Sequence, residues 1–159
     1  MKKNKGFSLV ELIIVIAIMA ILAAAIAPAL IRYIDKSRKA DDVTAAGTIA
    51  TAANAAFTNE AAYEAVMNDM KGNTLIAQAT PGSPFTTTMT NDKFVKELNK
   101  NLTGENSPKL KYRKTLDSPA VTPTNWYLYL SQDVPMVYVG DTNHTKDVML
   151  SPSIHEEYQ

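Results

Sequence analysis

Apolar positions follow three different patterns along the chain. Residues 7–31 are almost wholly apolar, and Glu11 is the only charged side chain among them. As a helix this stretch would be about 37 Å long, enough to cross a hydrocarbon core of about 30 Å with some tilt. A helix is also the single-segment structure that satisfies its own backbone in lipid. Residues 32–66 contain no proline and one glycine, Gly47. There Val43, Ala46, Ala50, Ala53 and Phe57 recur at helical spacing and form one stripe. The pattern predicts a continuous helix from about Ser8 to a point between Thr58 and Met70. Asn59, followed by Glu60, is suited to cap a separate short turn, and Lys71-Gly72-Asn73 is a stop. Asp35 stands four residues before Lys39, the favourable order for a surface pair. Pro28 predicts a kink inside the apolar part, since proline removes a helical hydrogen bond at a cost of about 3 kcal/mol.

The second half changes to short alternating runs. Residues 74–89 are rich in Thr, Pro, Gly and Ser and read as surface loop, with Pro81-Gly82 as a turn. Thr90-Asn91 caps a short helix over residues 92–101 that carries Phe94, Val95 and Leu98 on one side, with Gly104 beyond its end. Strands are predicted over residues 109–113, 126–130, 134–139 and 147–150, with Pro135 marking an edge or a bulge. Their spacing of about ten residues suggests an antiparallel meander. One of its faces would bury against the outer half of the long helix. The fold class is therefore α+β, with a long amino-terminal helix packed on a small antiparallel sheet.

Charge and composition narrow the function. The chain carries 16 basic and 16 acidic side chains, so it offers no global electrostatic case for nucleic-acid binding. It has no cysteine, hence neither disulfides nor thiolate chemistry. No nucleophile, base and orienting acid assemble from the sequence, and it reads as no enzyme and as needing no cofactor. Asp141, Asn143 and Asp147 place oxygen side chains at alternating positions, like the start of a calcium loop. The central glycine and closing glutamate of such a loop are missing, and a polar hairpin turn is the plainer reading. His144 and His155 have no partner at metal-ligand spacing and are read as surface residues. Asn101-Leu102-Thr103 and Asn143-His144-Thr145 fit a glycosylation acceptor pattern that is common by chance. Trp126, Tyr127 and Tyr129 suit either a core strand or a binding face.

Glu11 is the residue that needs a reason. A carboxylate in a membrane-spanning helix is penalised by about 2.5–3.5 kcal/mol on insertion scales and marks function by default. It closes the segment Gly6-Phe7-Ser8-Leu9-Val10-Glu11, which follows Lys2, Lys3 and Lys5. This segment resembles the class III signal of type IV prepilins: a short basic leader, Gly, Phe, and Glu four residues after the Phe. The resemblance in residues covers the first thirty or so positions, and beyond them only the layout is similar. A conventional secretory signal competes with it, with small-residue cuts at Ala23-Ala24-Ala25 or Ala25-Ile26-Ala27. Glu11 breaks the apolar core such a signal would keep, and Pro28 follows Ala27 directly. An uncleaved membrane anchor is the third option.

The resemblance implies a specific life history. Residues 1–6 would be a cleaved leader, with the cut between Gly6 and Phe7 and N-methylation of Phe7. Residues 7–31 would form the membrane and filament-core helix, residues 32–70 its outer half, and residues 71–159 the globular domain. Glu11 would pair with the Phe7 amine of a neighbouring subunit, although the two are also four apart on one helix and could pair within a subunit. Pro28 would accompany a stretch, residues 20–28, that loses helical order on assembly. Implied partners are other copies of the chain, a prepilin peptidase, an inner-membrane platform protein, an assembly ATPase and minor pilins. Before assembly the chain would sit in the cytoplasmic membrane with its carboxy terminus outside, and afterwards in an extracellular filament serving motility, adhesion or DNA uptake. That orientation follows from the motif, because Arg32, Lys36, Arg38 and Lys39 crowd the far end of the apolar run and blunt the charge rule. The lack of cysteine departs from many Gram-negative pilins and suits a Gram-positive source. The alternatives are a pseudopilin of a type II secretion or competence apparatus, and, in another class, an anchored or secreted binding module that uses the aromatic strands.

Overall fold

The computed structural model describes residues 6–68, 74–131, 133–144 and 147–159. Lys2, Lys3 and Lys5, the Lys71-Gly72-Asn73 stop, and Thr145 and Lys146 of the polar loop lie outside the described residues. The chain divides into two compact units, residues 1–36 and 37–159.

The first unit is helical from Leu9 onward, and this helix, α1, is continuous over Leu9–Ala56 with Pro28 inside it. It carries a stretch long and apolar enough to cross a membrane, none of it buried. Ile, Leu, Val and Met are exposed all round this stretch, the signature of a helix whose surroundings are lipid or other protein.

The second unit holds the remainder of α1, two short helices and a sheet. Beyond Ala56, Asn59 begins α2 (Glu60–Met67), its side chain accepting a hydrogen bond from the Ala62 N–H at 3.2 Å. The sheet has five antiparallel strands in the order β2-β1-β3-β4-β5. They are β1 (Thr74–Ala79), β2 (Thr86–Thr87), β3 (Asn125–Ser131), β4 (Val134–Gly140) and β5 (Val148–Ser151), with α3 (Lys93–Asn101) between β2 and β3. This is the α+β architecture of the pilin fold. On the α1 stripe Ala46, Ile49, Ala53 and Ala56 are fully buried and join Trp126, Leu128 and Leu130 of β3 and Val137 and Val139 of β4 in one core. Alanine dominates the helix side of that contact, which suits a close approach of helix to sheet. Phe94, Val95 and Leu98 bury the predicted face of α3. Trp126 belongs to the core, and its indole N–H donates to the Pro108 carbonyl at 2.8 Å.

Two expectations are corrected. Residues 74–89 are not all loop, because β1 lies inside the sheet between β2 and β3. Ile76, Ala77 and Ala79 are buried there, and the pairing partner of β1 is some fifty residues away, beyond the reach of a local composition reading. Within the segment, the Pro81-Gly82 turn does form: the Ser83 N–H donates to the Thr80 carbonyl at 2.9 Å, and Gly82 has φ +85°. That positive φ is what the position after Pro81 requires in such a turn.

The second correction concerns residues 109–113, which alternate as predicted but join no strand. Leu110 and Tyr112 are buried while Lys109, Lys111 and Arg113 are exposed. In place of a neighbouring strand, the N–H groups of Lys111 and Tyr112 donate to the carboxylate of Asp42 on α1, at 2.7 and 2.9 Å. Asp42 is completely buried, and burial raises its pKa from the ordinary aspartate value while these two bonds pull it back. Pro135 sits in β4 opposite Leu130, past the point where β5 pairing ends at Val137 and Ser151, so its flank on that side is a local edge.

The carboxy terminus closes over the same region. Lys39 forms an ion pair with Glu157 at 3.6 Å, and its ammonium lies 4.9 Å from the centre of the Tyr112 ring and 5.8 Å from that of Tyr158. These contacts, with the Ser118 N–H donating to Glu157 at 3.2 Å, fix the last turn without any disulfide.

Candidate functional site

Gly6 and Phe7 precede the first turn of α1, and Phe7 is 87% exposed. The helix then starts in a capping box. Ser8 Oγ accepts from the Val10 N–H at 3.4 Å, and Glu11 Oε2 reaches back to accept the Ser8 N–H at 2.9 Å. Two of the four N–H groups that a helix start leaves unpaired are thereby satisfied. The Ser-x-x-Glu spacing that encodes this box is visible in the sequence, yet reading Glu11 only for its charge passes over Ser8. The box has a chemical consequence. In the full chain the Phe7 nitrogen belongs to the Gly6–Phe7 peptide bond and carries no charge. In that state the Glu11 carboxylate is held by a backbone donor of its own helix.

Pro28 lies within α1, and its ring nitrogen has no hydrogen to donate to the preceding turn. Ala23, Ala24, Ala25 and Ala27 precede it, so the place where the backbone ladder is weakest is also where side chains permit the closest packing.

The polar loop between β4 and β5 is organised around tyrosines. The Tyr127 hydroxyl donates to the Asp141 carbonyl, and the Asn143 N–H donates to Asp141 Oδ1 at 3.0 Å. Asp147 Oδ2 accepts from the Tyr129 hydroxyl at 2.8 Å and meets His144 Nδ1 at 3.4 Å. His144 Nε2 pairs with Gln78 Oε1 at 3.1 Å, and its ring packs 3.7 Å from the centre of Tyr127. The surface reading of His144 is thus corrected: it is a half-buried member of a loop folded over the outer face of the sheet. His155, in turn, accepts the Glu157 N–H through Nδ1 at 3.3 Å. Tyr127 is fully buried but lies outside the main core, and burial pushes its hydroxyl up to about 12. Burial and the neighbouring Asp147 raise Tyr129 further. Asp141, Asn143 and Asp147 are therefore engaged as loop-forming groups, and among the described residues no three His, Asp or Glu side chains cluster as metal ligands.

Comparison with known proteins bears on the amino terminus. Residues 1–27 match the family model described as the prokaryotic N-terminal methylation motif. This match supports a prepilin-type signal and a type IV pilin-like or pseudopilin-like precursor, with anchoring in the membrane before assembly. No solved structure matches the chain.

Proposed function

We propose that the chain is the structural subunit of a type IV pilus, cut between Gly6 and Phe7 by a prepilin peptidase, methylated on Phe7, and polymerised through its amino-terminal helix. The observation that carries this reading is Glu11, a single carboxylate at a fixed distance from Gly6 and Phe7 in the otherwise apolar stretch of residues 7–31, whose membrane-length window has no buried residue. Cleavage turns the Phe7 nitrogen into a cation. The Glu11 carboxylate of an incoming subunit, until then held by the Ser8 N–H, then pairs with the Phe7 ammonium of its neighbour in the filament. In a poorly solvated filament core, removing either partner of such a pair costs about 3–5 kcal/mol. The pair therefore acts as a registry device. Apolar burial, worth about 1.5–3 kcal/mol for each large side chain removed from water, supplies most of the lateral attraction once subunits leave the lipid.

Assembly on this reading uses a platform protein and an ATPase in the membrane, with minor pilins as companions. The soluble unit supplies the filament surface, and no step is catalysed by the chain itself. The test is genetic and visual. Glu11→Ala and Glu11→Val subunits should be processed but build no filaments, while Gly6→Val should accumulate as uncut precursor. Abundant normal filaments from either Glu11 variant would refute the registry role. Long surface fibres from the wild type would separate the pilus subunit from a pseudopilin.

A further inference from the structure

Residues 37–159 carry 11 basic and 14 acidic side chains, yet residues 109–114 hold four basic side chains and no acidic one. This local excess of positive charge is built into the fold. Lys109, Lys111 and Arg113 alternate with the buried Leu110 and Tyr112, so the three cations stand out on one side of the segment. The two bonds from Asp42 fix the backbone in its middle. The stem of Lys109 lies along the Pro81-Gly82 turn, 3.7 Å from where a Gly82 Cβ would be. Lys109, Lys111 and Arg113 have no ion-pair partner among the described residues. In extended chain, alternate side chains on one side are separated by about 6.5–7 Å. The result is a fixed row of solvated cations on a unit that is otherwise acidic.

From this row we infer a docking surface for the anionic phospholipid headgroups of the membrane that holds the subunit before assembly. The inference rests on the membrane-resident precursor proposed above. Asp42, which anchors the row, follows Ile31, the last residue of the apolar run, by eleven residues in the chain. A basic segment joined to the membrane helix by so short a piece of chain is attracted to an anionic leaflet once it comes within about one Debye length of the surface. The contact would hold the soluble unit against the bilayer until extraction, and removing the subunit from lipid would break it.

Because the chain has no cysteine, a single introduced one gives a unique label position. Thr115 is exposed and two residues past Arg113. The full chain carrying Thr115→Cys and a fluorophore would be reconstituted into vesicles containing a headgroup nitroxide quencher, either in phosphatidylcholine alone or with added phosphatidylglycerol. Flotation checks insertion, and thermal melting checks the fold. The inference expects stronger quenching with phosphatidylglycerol, lost in 1 M salt and lost when Lys109→Gln, Lys111→Gln and Arg113→Gln are combined. Equal quenching in both lipids, or an unchanged excess in the triple variant, overturns the docking surface while leaving the membrane-resident reading intact. Failure to float overturns both.

Discussion

The carboxylate of Asp147 occupies the space that a Cβ on Gly140 would fill. An alanine there would overlap Asp147 Oδ1 and come within 3.1 Å of its Cγ and 3.3 Å of its Cα. Among the described residues Asp147 Oδ1 is buried without a hydrogen-bond partner, while Oδ2 holds the Tyr129 hydroxyl and faces His144. Gly140 ends β4 and Asp147 precedes β5, so this close approach pins both ends of the loop that folds over Tyr127.

Gly140→Ala should therefore destabilise the soluble unit by about 1–3 kcal/mol, the usual range for overpacking. Thermal melting of Gly140→Ala, Asp147→Ala and the double variant checks this. The alanine at 140 should be better tolerated once the carboxylate is gone, giving a coupling of the kind seen between residues in contact. Additive effects would show that the two residues do not compete for the same space.

Asp42 sets a pH dependence whose sign is the reverse of that of an exposed salt bridge. Its folded pKa is raised from 3.8, mainly by burial, so near the titration range the folded chain holds more protons than the unfolded one. The contribution of this group is fully present below 3.8 and is lost as pH rises through the folded value. Asp42→Ala removes that dependence and leaves the part-buried Lys111 N–H and the buried Tyr112 N–H without their acceptor, at about 1–3 kcal/mol for the buried donor. Denaturant melts from pH 3 to 7 should show the Asp42→Ala chain less stable throughout, with the gap to wild type narrowing as pH rises. A gap that widens with pH would contradict the assignment.

The parts of the fold that the sequence made legible are those encoded by nearby residues. Phe94, Val95 and Leu98 identify the face of α3, Asn59 identifies the start of α2, and the aromatic run at Trp126 identifies β3. What was missed depends on distant partners. β1 has a weak strand composition and is a strand because β3 pairs with it across the intervening helix. Residues 109–113 have a strand's alternation, but Asp42, some seventy residues earlier, takes their backbone donors. At the amino terminus the charged residue in the apolar run was conspicuous, whereas Ser8 was legible only as a partner of Glu11 in the helix cap.

Pro28 yields a prediction about the assembled state. α1 is helical through Pro28 in the single subunit. We expect residues 20–28 to extend or melt in the filament, where lateral contacts replace the weakened backbone ladder. A filament reconstruction should show this stretch non-helical, with residues 9–19 still helical. An unbroken helix through Pro28 in the filament would rule the rearrangement out.

The central claim is that Gly6 and Phe7 flank a processing site and that the helix beginning there is the assembly element. The most direct test is the mass and amino-terminal sequence of the mature protein. The account predicts a chain that begins at N-methylated Phe7. A start near Ile26 or Pro28, or an intact Met1, would contradict it and place the function in the soluble unit instead.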